Sequence, residues 1–124
     1  MARLLRELLV PQLQGHAAFQ ARVAANAVDL VAREMRQGPA AEGAALERLR
    51  ALLQRPDAEA LDPLEADLVA RLRSGDIATD APGLQDHLWA STLAKLAIDQ
   101  PSYASYRRAL QWRVAADTPR QPKE

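Results

Sequence analysis

The sequence predicts an all-α protein: an antiparallel helical bundle of about five to six helices around a central Ala-rich helix. Three observations carry this expectation. Residues 19–36, FQARVAANAVDLVAREMR, wound at about 100° per residue, gather Arg36, Asp29, Arg22, Arg33 and Asn26 on one narrow stripe. The rest of that stretch is almost entirely Ala, Val, Leu, Phe or Met, and a helix apolar over most of its circumference is expected at the buried centre of a bundle. Aromatic residues make up only 4% of the chain while leucine and alanine dominate, which suits helices and argues against a β-sandwich. No stretch shows sustained period-two alternation, and no segment repeats.

The first segment, Ala2 to Val10, spaces Leu4, Leu5, Leu8 and Leu9 for a helix, which Pro11 ends or kinks because it lacks a backbone donor and restricts Val10. The central helix is expected from about His16 to Arg36, with Gly38-Pro39 as its stop and Arg33 and Arg36 favourably placed in its last turns. A further helix, from about Ala44 to Gln54, sets Leu46, Leu49, Leu52 and Leu53 on one face and Glu47, Arg48 and Arg50 on the other. Pro56-Asp57 breaks it. In Asp62-Pro63-Leu64-Glu65, Asp62 suits the N-cap, Pro63 the first helical position and Glu65 the return bond of a capping box. Leu64, Leu68, Val69 and Leu72 form the buried stripe of that helix, and Ser74-Gly75 ends it. Ile77 plugs the following loop. Asp80 or Ala81 is expected to cap the next helix, LQDHLWASTLAKLAID, with Pro82 in its first turn. Its apolar face is Leu84, Leu88, Trp89, Leu93 and Leu96, and Pro101 closes it. A last amphipathic segment, Ser102 to about Ala116, carries Tyr103, Tyr106, Leu110 and Val114. The short loops favour antiparallel neighbours. The expected organisation is one helical domain over 1–116 and a disordered, proline-rich tail over 117–124.

At 124 residues the chain is long enough for one real core. Its formal net charge is +0, where a protein devoted to nucleic-acid backbones carries a basic excess, so no nucleic-acid partner is expected. Without cysteine, disulfides, thiolate metal sites and Cys nucleophiles are excluded. MARLLRELLV is interrupted by Arg6 and Glu7 and does not read as a secretory signal, and no apolar run approaches the roughly 20 residues of a membrane span. A cytoplasmic, soluble protein with no membrane association is the expectation. Arginine outnumbers lysine 14 to 2, a bias typical of a GC-rich bacterial genome.

Two stretches carry more polar detail than packing needs. One is Arg22, Asn26, Asp29 and Arg33 on the central helix, where Asn26 borders Phe19 and Leu30 and is expected to be semi-buried. The other is the run from Lys95 through Asp99 to Tyr103, in which Lys95 and Asp99 lie one turn apart. Joined, Arg22, Asn26, Arg33, Lys95, Asp99 and Tyr103 would form one polar pocket for an anion or a partner's polar group. The structural alternative makes Lys95–Asp99 an exposed i,i+4 pair worth roughly 0.3–0.5 kcal/mol, with Asn26 tying two helices together and Tyr103 packing. Ion pairs of this kind are common in bundles that catalyse nothing. His16 and His87 lie in different segments without a ligand at metal spacing, so no metal and no cofactor are expected. Asp86 and His87 point to different faces. A nucleophile would have to be Ser91 or Thr92, and spacing places no base beside either, so no catalytic residue is assigned. There is no Gly-rich phosphate loop. Tyr106, Arg107, Arg108, Trp112 and Arg113 read as an amphipathic helix whose Arg stems cover the aromatics rather than as a nucleotide-stacking surface.

The same stretches carry a family resemblance. FQARVAANAVDLVAREMRQGP, followed downstream by KLAIDQPSY, resembles a bacterial domain-of-unknown-function family of short helical proteins. The family pattern runs F-x-A-R-V-A-A-N-x-(L)-x-I-V-x-R-E with a following G-P, then K-L-x-I-D-N-P-x-Y. The resemblance reaches from about Val10 to Tyr106 and covers Phe19, Arg22, Asn26, Arg33, Glu34, Gly38, Pro39, Lys95, Asp99, Pro101 and Tyr103. The family's Asn is Gln100 here, which weakens any role that needs a short amide at that turn. Members begin with a longer N-terminal helix, so on this resemblance the chain starts inside it and leaves apolar surface open. The resemblance implies a setting beside an aminoglycoside-phosphotransferase-like kinase and an acyl-CoA dehydrogenase, and hence acyl-CoA catabolism.

The resulting expectation is an accessory protein, not an enzyme, that binds or regulates the dehydrogenase or the kinase. The alternative is a binder or enzyme acting on an acyl-CoA or phosphorylated intermediate through Arg22, Lys95 and Asp99. Three expectations accompany these readings. Asn26 lies within hydrogen-bonding reach of the Lys95–Asp99 turn. Asn26→Leu costs roughly 1–3 kcal/mol. The apolar surface of the two chain ends makes a homo-oligomer or a complex with a partner, not a monomer.

Overall fold

The computed structural model describes residues 1–117 and the side chains of residues 1–112. Its elements are α1 (Ala2–Leu4), which passes through a π turn (Leu5–Leu9) and a 3-10 turn (Val10–Gln12), then α2 (Gly15–Leu53), α3 (Leu61–Ser74), α4 (Leu84–Asp99) and α5 (Ala104–Asp117). The fold is all-α, and the described residues include no strand. The expected tail begins at Asp117, which here closes α5; 118–124 and the side chain of Val114 lie outside the described residues. The chain divides into two compact units, Met1–Ala44 and Ala45–Glu124.

Gly38-Pro39 does not stop the central helix. The two helices expected on either side of it are one 39-residue helix with Pro39 inside. A helix end of the expected kind needs Gly38 in the left-handed region, and only Gly15, Gly75 and Gly83 among the glycines have positive φ. Proline crowds the Cβ of the residue before it, and Gly38 has none, so the helical conformation is permitted there. The Ala-rich flanks, Ala40, Ala41, Ala44 and Ala45, favour helix strongly enough to carry it across the bond that Pro39 cannot donate. The helix ends at Gln54, whose φ is 55°, with the Arg55 amide donating to the Arg50 carbonyl at 2.9 Å. Arg50 Nε then donates to the Ala58 carbonyl at 2.7 Å and holds the following loop.

Two other helix starts differ from expectation. The N-cap of α3 is Ala60, with no side-chain cap bond, so Asp62 and Pro63 fall in the first turn rather than at its entrance. The N-cap of α4 is Gly83 at φ 82°, two to three residues after the expected Asp80 or Ala81. Gly75, also at φ 82°, ends α3 as expected.

In the second unit the core is Leu49 and Leu53 of α2, Leu64 and Leu68 of α3, and Leu84 of α4. Leu46, Leu52, Leu72 and Ile77 pack against it, so Ile77 does plug the loop as expected. Val69, Leu88 and Trp89, assigned from sequence to buried faces, are exposed. The first unit is built differently. Its buried residues are Ala2, Ala18, Ala25 and Gly38, none with an atom beyond Cβ. The large apolar side chains of α2 that were expected inside, Phe19, Val23, Leu30, Val31 and Met35, are exposed.

Candidate functional site

The polar stripe of the first unit meets the N-terminal segment. Arg6, in the π turn, donates from Nη2 to Asn26 Oδ1 at 2.7 Å and from Nη1 to the Asp29 carboxylate. One guanidinium thus bridges two positions a turn apart on α2, the pairing for which its fork is suited. Asn26 is exposed, contrary to the expected semi-burial; it does tie two segments together, through Arg6. Arg22 is exposed and Arg33 half-buried on the same helix.

The remaining expected site residues belong to the second unit. Lys95 and Asp99 are exposed on α4, and among the described residues no ion pair joins them. Tyr103 is exposed at the entrance to α5, where its amide donates to the Gln100 carbonyl at 3.0 Å and its carbonyl accepts from the Arg107 amide at 3.1 Å. The six expected residues are therefore divided, three on α2 in the first unit and three on or after α4 in the second.

A cluster that sequence reasoning missed lies inside the second unit. His87 of α4 is only 4% exposed, and its Nδ1 is buried without a hydrogen-bond partner. Ser91, one turn later, accepts from Arg48 Nη2 at 3.3 Å, and Arg48 Nε is also buried without a partner. Burial, reinforced by the Arg48 charge, lowers the His87 pKa and keeps the imidazole neutral at pH 7. Beside Arg48 a recess of about 280 Å³ is lined by Ala51, Leu52, Pro82, Gly83 and Asp86. The signal was in the sequence: His87 is three residues after the core Leu84 and four before Ser91, so all three share a face. Arg48 lies one turn before Leu52.

The two hydroxyls weighed as nucleophiles are engaged elsewhere. Thr92 Oγ1 donates to the Leu88 carbonyl of its own helix at 2.8 Å, and Ser91 Oγ faces Arg48. The outer face of α4 holds a wider apolar depression of about 490 Å³ lined by Gln85, Asp86, Leu88, Trp89 and Thr92. Among the described residues no group of three or more His, Asp or Glu side chains is placed to hold a metal ion, and no helix is long and apolar enough to cross a membrane.

Residues 11–103 match the family described as Domain of unknown function (DUF6285). No curated protein and no solved structure matches the chain.

Proposed function

This chain belongs to the DUF6285 family, and from that membership and its surface we propose a non-catalytic accessory protein that docks onto a partner protein through its first unit. The observation that carries the proposal is the inverted packing of residues 1–44. Only Ala and Gly are buried there, while Phe19, Val23, Val31 and Met35 face outward. Ala27, Val28, Val31, Ala32 and Met35 line an open apolar groove of about 390 Å³ on α2. Contiguous apolar surface of this kind marks interaction sites on soluble proteins. The resemblance drawn from the FQARVAANAVDLVAREMRQGP and KLAIDQPSY stretches supplies the partner class: an acyl-CoA dehydrogenase or a phosphotransferase-like kinase in acyl-CoA catabolism. A second reading, a binder or enzyme for an acyl-CoA or phosphorylated intermediate, is favoured by Arg22, Lys95 and Asp99, which are exposed and engaged in no ion pair among the described residues.

Tagged full-length chain is purified from its host beside Val31→Glu and Met35→Glu, and light scattering measures the mass of the chain alone. The proposal expects the dehydrogenase or the kinase to accompany wild type and to be lost from both variants while their helical content is kept. Retention of the same partner by both variants overturns the docking face, and a concentration-dependent doubling of mass assigns the face to a second copy. Calorimetry with acyl-CoA separates the second reading, which expects binding lost in Arg22→Ala and Lys95→Ala and unchanged in Met35→Glu.

A further inference from the structure

We propose that the element a partner lays on the docking face is an amphipathic α-helix with an acidic side chain on one flank and a basic one on the other, an inference that rests on the docking reading of α2. The groove has the form of a helix seat. Its residues make two rows along α2, Ala27, Val31 and Met35 in one and Val28 and Ala32 in the other, each spaced by four. Rows of that spacing are the ridges between which a second helix sets its own side chains. From Ala27 to Met35 the groove runs about 12 Å, a little over two turns. The two alanines keep the surface low, so a facing backbone can come close. The lining is apolar throughout, and the backbone beneath it is engaged in α2, the Met35 carbonyl opposite Pro39 excepted. An extended strand laid there would find no partners for its amides and carbonyls, whereas a helix satisfies its own.

The charges beside the groove select the flanks of that helix. At about 100° per residue, Arg36 and Glu34 fall on opposite sides of the groove's centre line, each roughly a quarter-turn away. Both are exposed, and among the described residues neither is engaged in an ion pair. Asp29, further round on the Arg36 side, is already held by Arg6. An apolar stripe between an unpaired cation and an unpaired anion is the arrangement that sets partner choice in paired helices. It asks for a carboxylate beside Arg36 and an ammonium or guanidinium beside Glu34. An antiparallel second copy would instead set the Arg36 flank against itself and the Glu34 flank against itself. A lipid surface would draw on the cation alone and oppose Glu34 with anionic headgroups.

The test uses the full-length chain and three fluorescent peptides of about four turns, each stapled to hold a helix and carrying the same leucine stripe. The first has glutamate on one flank and lysine on the other, the second glutamate on both, and the third lysine on both. Anisotropy is expected to show the mixed peptide binding about fivefold more tightly than either of the others. Arg36→Glu should move the preference to the lysine-flanked peptide, and Glu34→Lys to the glutamate-flanked one, each by a similar factor. Val31→Glu should weaken all three by about tenfold or more, because it sets a charge in the apolar seat. These positions are exposed, and far-UV circular dichroism checks that helical content is kept. Loss of the partner from Val31→Glu, with none of the peptides bound by wild type, overturns the helix while the docking face stands. Equal binding of the three peptides, or a preference unmoved by Arg36→Glu and Glu34→Lys, overturns the charged flanks. Peptide binding that Val31→Glu leaves intact lies elsewhere and overturns the inference. A dimer in light scattering that Val31→Glu dissociates assigns the groove to a second copy and overturns it as well. If the partner itself is retained by Val31→Glu, the docking reading fails and the helix with it.

Discussion

Leu49→Ala should be far more damaging than Met35→Ala, although both truncate large apolar side chains on the same helix. Leu49 is 0% exposed and packs among Leu53, Leu64, Leu68 and Leu84. Truncating it removes the transfer energy of its lost carbons and leaves a cavity walled by other leucines, a combination that costs about 3–5 kcal/mol. Met35 is 75% exposed. Full burial of a methionine contributes about 1.5–3 kcal/mol, so the quarter that is covered contributes only about 0.4–0.8 kcal/mol, and the higher helix propensity of alanine returns a few tenths. The net cost at Met35 is therefore about 0–0.5 kcal/mol. Urea unfolding followed by far-UV circular dichroism, at two protein concentrations about tenfold apart, measures both. A Met35→Ala cost that grows with concentration reports association through the apolar face rather than packing within the chain. The reasoning is refuted if Leu49→Ala costs less than about 1 kcal/mol, or if Met35→Ala costs as much as Leu49→Ala at the lower concentration.

Three further outcomes follow from local geometry. Gly38→Ala should destabilise α2 by roughly 1 kcal/mol, although alanine is the better helix former: the new Cβ would be crowded by the Pro39 ring in the helical conformation and would also meet Glu34 Oε1 at 2.8 Å. A urea midpoint equal to or above that of wild type would show that the Cβ before Pro39 is tolerated and that glycine is not what carries the helix across it. His87 makes stability depend on pH. Its folded pKa lies below 6.5, so above that value both states are neutral there and stability is flat; as pH falls from 6.5 towards the folded value, the unfolded chain takes up a proton that the folded chain refuses, and stability declines. Unfolding midpoints across this window should show the decline in wild type and lose that component in His87→Gln; an unchanged slope in the variant would assign it to other groups. Asn26→Leu should cost less than about 1 kcal/mol, not the 1–3 kcal/mol expected of a buried amide, because Asn26 is exposed and Asp29 still holds Arg6. A loss above about 2 kcal/mol in a thermal melt would restore the buried reading.

The helices were legible because hydrophobic spacing and proline or glycine punctuation are local properties of the chain. Gly75 ends α3 where expected, and the Leu49, Leu53, Leu64 and Leu68 faces meet in the core as their spacing implied. What spacing does not encode is which face of an amphipathic helix finds a partner. On α4 the large residues Leu88 and Trp89 drew the eye, yet the buried set is Leu84, His87, Leu93 and Ile98, with Ser91 and Ala94 half-buried between them. In the first part of α2 the buried positions are Ala18, Ala25 and Gly38.

On α4 the buried face joins His87 to Leu84, Leu93 and Ile98, whereas in the first part of α2 only small side chains turn inward and large apolar ones remain outside. That second pattern is the reverse of what burial of a chain against itself would select, since each exposed Phe, Val, Leu or Met forgoes stabilisation that burial would give. It is explicable where the large residues have a second surface to meet, which the docking proposal supplies for α2. The candidate site was illegible for a related reason. Arg48 stands in the sequence between Glu47 and Arg50, and a run of charge ordinarily marks a solvated face. An arginine stem can instead run along a leucine face and carry its guanidinium inward, and this one ends at Ser91. Its place in the fold follows from that inward turn: a charge held half-buried in a protein needs an acceptor, and Ser91 supplies one.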